Sequence, residues 1–92
     1  MPPDRLRSEL AEAELAAQAA KADLIRLGDD LADVPPPGSP SGLRALQRLR
    51  GEYERLLDAH ANVTSRQDVV RIRQDITRLR RGLDRLPRPV SR

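Results

Sequence analysis

The chain has 92 residues, a net charge of +3, 34% charged and 38% hydrophobic residues, and one aromatic side chain, Tyr53. This length fits a single domain over residues 1–92, and 14 Leu, 3 Ile and 5 Val without Phe or Trp make an aliphatic core too thin for a sandwich or a deep pocket. The absence of Cys excludes disulfides, thiolate metal sites and thiol catalysis. No apolar run approaches the ~18 residues of a membrane span, and Met1-Pro2-Pro3-Asp4 opens into charge, so a cytoplasmic protein without a membrane partner is expected.

The pattern predicts an all-α protein: an elongated up-down-up three-helix bundle or coiled-coil helical hairpin. The first helix is expected over residues 4–34, with Asp4 as its N-cap. Its apolar positions Leu6, Leu10, Ala13, Ala17, Ala20, Leu24, Leu27, Leu31 and Val34 alternate steps of four and three, a continuous heptad. Small residues in the middle allow a neighbouring helix to approach closely. Gly28 reads as a weak spot, costing about 1 kcal/mol relative to Ala. A second stripe, Ala11, Leu15, Ala22, Ile25 and Ala32, falls on positions that should face water; Leu15 and Ile25 there suggest a second covered surface.

Residues 35–42, Pro-Pro-Pro-Gly-Ser-Pro-Ser-Gly, read as a semi-rigid inter-helix connector. A second helix is expected over 42–61, with an apolar face of Leu43, Leu46, Leu49, Tyr53, Leu56, Leu57 and His60. A lone His on such a face reads as a core or boundary residue rather than a ligand. The phase then slips between Val63 and Val69. Asn62 suits a left-handed C′ position, and Ser65 with Asp68, or Thr64 with Gln67, reads as a capping pair. A break near 62–65 is therefore expected, with a third helix at 66–86 stopped by Pro87 and Pro89; the alternative is a continuous second and third helix containing a stutter.

The third helix carries a seam of Val69, Ile72, Ile76, Leu79, Leu83 and Leu86 between two charged flanks. Arg66, Arg73 and Arg80 lie on one side, Asp68 and Asp75 on the other. Residues 1–34 hold four cations and eight acids, residues 35–92 thirteen Arg and six acids, so the halves carry −4 and +7. Parallel pairing of the first and third helices turns Glu9, Asp23 and Asp30 toward the Arg flank, and Arg7 and Lys21 toward the Asp flank. The same pattern suits a bundle within one chain or a parallel dimer. Such exposed pairs are worth about 0.2–1 kcal/mol each, enough to choose an arrangement that apolar burial stabilises.

No Gly-rich phosphate loop, metal-ligand cluster or nucleophile motif is present, so neither an enzyme nor a cofactor is expected. Arg71, Arg78 and Arg85, spaced by sevens, form one outward ridge, with Arg81 and Arg88 nearby. The ridge reads as a solvated face or as a contact for an acidic protein or nucleic acid, and without stacking aromatics single-strand modes are weak. The 16 Arg among 17 basic residues also fit a GC-rich coding bias. The favoured function is a non-enzymatic assembly module, a scaffold, connector or adaptor subunit acting through coiled-coil packing. Its partners would be a second copy or a larger protein; the alternative is a small basic nucleic-acid-binding protein.

Overall fold

The computed structural model describes the backbone of residues 3–86 and the side chains of residues 7–86. Three helices, α1 (Pro3–Ala32), α2 (Pro40–Ala61) and α3 (Arg66–Asp84), run up, down and up. They form an elongated bundle of 63 × 19 × 15 Å, with no strand among the described residues. α3 packs on both other helices, whereas α1 and α2 meet more sparsely.

The ends of the helices follow local chemistry. α1 starts at Pro3, whose fixed φ suits a first helical residue, so Asp4 falls inside the first turn instead of capping it. It stops at Ala32, two residues short of Val34, where the Asp33 and Val34 amides fold back onto the Asp29 and Leu31 carbonyls. α2 begins at Pro40, earlier than the Pro-rich connector suggests. Ser39 caps it by accepting from the Gly42 amide at 3.1 Å, and Pro40 takes the first position, where a missing N–H costs nothing.

The break between α2 and α3 falls at residues 62–65, which excludes one continuous helix. Asn62 closes α2 without a left-handed conformation, at φ −107 and ψ 18, and its side-chain amide donates to the Asp58 carbonyl at 2.8 Å. Of the two capping pairs, Ser65 with Asp68 is the one formed. The Ser65 hydroxyl accepts from the Asp68 amide at 3.2 Å, and the Asp68 carboxylate accepts from both the amide and the hydroxyl of Thr64 at 3.1 Å. Those bonds to Thr64 hold the Asp68 carboxyl below its ordinary pKa. α3 ends at Asp84, capped by Arg85; Pro87 and Pro89 lie outside the described residues.

One apolar cluster runs along the bundle, built on Ala20, Leu24, Leu27 and Leu31 from α1, Leu46, Leu49 and Leu56 from α2, and Val69, Ile72, Ile76 and Leu79 from α3. Burying each large aliphatic side chain stabilises the fold by roughly 1.5–3 kcal/mol. α2 and α3 approach closely at Gly82, where an added Cβ would lie 2.9 Å from Leu49 Cδ2.

Two polar side chains fix the register of α2 on α1. Tyr53 Oη donates to the Leu24 carbonyl at 2.9 Å, and His60 Nε2 donates to the Ala17 carbonyl at 2.7 Å. Donors and acceptors are each seven residues apart, so one antiparallel register satisfies both. A shift by one helical turn would leave two half-buried polar groups without partners. Gly28 belongs to this contact: a Cβ there would stand 2.8 Å from Tyr53 Cζ, so it is the gap through which the ring reaches the α1 backbone.

Candidate interaction surfaces

The predicted seam is largely the core. Ala13, Ala20, Leu24, Leu27, Leu31, Val69, Ile72, Ile76, Leu79 and Leu86 are buried, while Ala17 and Leu83 are half-buried at its edges. Leu10 departs from the expectation: it is 53% exposed. It lies level with the α2–α3 turn and the first residues of α3, in an open groove with Thr64, Ser65 and Arg66. The side chain of Leu6 lies outside the described residues.

The second stripe is not covered by any of the described residues. Leu15 is 66% and Ile25 54% exposed, and Ala11, Ala22 and Ala32 are exposed with them. Gln18 and Asp29 occupy the intervening heptad positions, so the outward face of α1 steps through 11, 15, 18, 22, 25 and 29 by fours and threes.

The two flanks of α3 meet different helices. The Arg flank faces α1. Arg80 donates to Asp30 at 2.8 Å, as parallel pairing requires, and Arg66 reaches Glu12 at 3.3 Å. The Asp flank turns to α2 and not to Arg7 and Lys21 of α1. Asp75 borders a groove with Glu52, Arg55 and Ala59, and its carboxylate pairs with Arg78 one turn along at 3.4 Å. The third helix has α1 on one side and α2 on the other, so only one flank can answer α1.

The Arg set also divides. Arg78 borders the α2–α3 groove, and Arg71 and Arg85, seven residues to either side, share its exposed face. Arg81 borders the opposite groove, with Asp23, Arg26 and Arg80. Arg88 lies outside the described residues. Sequence reading missed a matching row on α2: Arg44, Arg48 and Arg55 are exposed and share the helix face of Glu52 and Ala59, which line the same groove. The signal was their spacing of four and seven, visible only once the side of α2 that meets α3 is known.

The grooves are open, and among the described residues no group of three or more His, Cys, Asp or Glu is arranged to hold a metal ion. No helix among them is long and apolar enough to cross a membrane. Comparison with protein-family models, curated proteins and solved structures gives no match to this chain.

Proposed function

We propose that the chain is a non-enzymatic assembly module whose outward α1 face pairs with a second copy of itself. The observation that carries this reading is the exposed Leu15 and Ile25 on one continuous heptad stripe. The stripe is nearly symmetric about the level of Ala20. An antiparallel α1–α1 contact would set each Leu15 against the partner's Ile25 and each Gln18 against the partner's Ala22. Small Ala residues at 11 and 22 permit close approach of the helices, and Glu12 would come near the partner's Arg26. Such a contact is isologous, so it closes as a two-fold dimer instead of running on into a filament.

Size-exclusion chromatography with light scattering tests it. The wild type should exceed the 10.3 kDa monomer mass at high micromolar concentration. Leu15→Glu with Ile25→Glu should return it to monomer with helical circular dichroism intact. A wild type that stays monomeric throughout overturns the reading.

A further inference from the structure

We propose that the α2–α3 hairpin, on the side away from α1, binds the phosphate backbone of double-stranded nucleic acid without reading sequence. This goes beyond self-assembly and uses the opposite side of the molecule.

Arg55 and Arg78 border one groove, and each belongs to a row of exposed arginines on its helix. Arg44, Arg48 and Arg55 stand along α2, and Arg71, Arg78 and Arg85 along α3. A seven-residue helical step is about 10.5 Å, so the α3 row extends about 21 Å. Packed helix axes lie about 8–10 Å apart, so the rows form two separate lines of positive charge along the hairpin.

Ion pairing separates the two sides in part. Of the α1-facing flank, Arg66 and Arg80 are committed to Glu12 and Asp30, while Arg73 forms no ion pair among the described residues. Among the described residues, Arg44, Arg48, Arg55, Arg71 and Arg85 form no ion pair; of the six in the two rows only Arg78 has one, to Asp75. Five unneutralised cations on one rigid face carry a repulsion that a polyanion relieves, releasing its own counterions.

The acids choose among polyanions. Glu52 and Asp75 are half-buried between the rows, while the arginines are exposed on the rims. An acidic peptide lying along the groove would bring its carboxylates onto those two acids; a ligand with two separated lines of charge avoids them. Single strands lack a stacking platform here, because Tyr53 is the sole aromatic and its hydroxyl is turned to the α1 backbone. An anionic bilayer is disfavoured because the large apolar side chains lining this groove, Leu56 and Leu79, are buried and leave nothing to insert among acyl chains.

The test is fluorescence anisotropy of a labelled mixed-sequence duplex of about 20 base pairs with the full chain across a salt series. With about five phosphate contacts, affinity should fall roughly 10²–10³-fold between ~50 and ~200 mM salt, independent of base sequence. Arg44→Gln/Arg48→Gln/Arg55→Gln should lower the log–log salt slope by about 3 and Arg71→Gln/Arg78→Gln/Arg85→Gln by about 2, and Arg66→Gln/Arg80→Gln should leave it unchanged. Circular dichroism at the binding temperature confirms that each variant is folded. Four results overturn the proposal: no duplex binding at low salt, tighter binding to polyglutamate or to phosphatidylserine vesicles, preference for single strands, or an α2 triple variant with the wild-type slope.

Discussion

Leu24 and Ile25 are chain neighbours of equal size, about 100° apart around α1 and on different stripes of it: Leu24 is 1% exposed and Ile25 54%. Each belongs to a stripe with heptad spacing, so spacing alone does not tell which stripe is the core. The difference lies in what stands beside each one. The inner stripe has its own carbonyls answering Tyr53 and His60 and its flanking Asp30 answering Arg80. The outer stripe has no such answer among the described residues. A helix can therefore carry two stripes of the same spacing, one covered by folding and one left exposed.

The sharpest way to break this comparison is to truncate the two neighbours separately. Leu24→Ala should cost about 2–5 kcal/mol in denaturant unfolding, because it empties a site closed on all sides. Ile25→Ala should stay within about 0.5 kcal/mol when measured at a concentration where light scattering gives the monomer mass. Equal losses at the two positions would mean that the outer stripe is also closed over.

Gly28 gives a smaller and signed effect. At an exposed helical site Gly→Ala gains about 1 kcal/mol. Here the new methyl would press on the Tyr53 ring, 2.8 Å from Cζ, and displace a half-buried side chain. Gly28→Ala should therefore destabilise by about 1–2 kcal/mol, in the range of overpacking a close contact. In a Tyr53→Ala background the same change should stabilise. A double-mutant cycle without that reversal would show that the glycine is not there to admit the ring.

The sequence carried most of this architecture because the core heptads of α1 and α3 are long and regular. The break at 62–65 was legible for the same reason: a two-residue slip of phase cannot be absorbed into a short uninterrupted seam. Three features were not legible. Leu10 continues the heptad without error, and its exposure depends on where the other helices end. Gly28 reads as a cost until the tyrosine opposite it is known, 25 residues away in the chain. The α2 arginine row has ordinary spacing for a solvated face, and it gains meaning only from the α3 row set across from it. Ser39-Pro40 was a readable start signal, a capping hydroxyl followed by proline, obscured by the prolines before it.

The smallest effect concerns the bond that ties Tyr53 to the inner face, and alkaline pH isolates it. Burial disfavours the phenolate and the Asp29 carboxylate repels it, so the Tyr53 pKa lies above its ordinary value of 10.0. The unfolded chain then gives up this proton at lower pH than the folded one. The stabilisation is complete below about pH 10 and is lost as pH rises through the folded-state value. The phenolate also has no proton to donate to the Leu24 carbonyl. The chain suits the measurement because 16 of its 17 basic side chains are Arg, which hold their protons throughout. A Lys21→Arg background removes the remaining lysine. In that background, the melting temperature should fall as pH is raised from about 9 to about 11, in step with tyrosinate absorbance. Tyr53→Phe should be flat over the same window. At neutral pH it should be less stable by only about 0.5 kcal/mol, since the Leu24 carbonyl keeps the helical amide of Gly28 as a donor. A Tyr53→Phe variant with the same alkaline fall would show that the phenol contributes packing alone, and that the inner face of α1 is held without it.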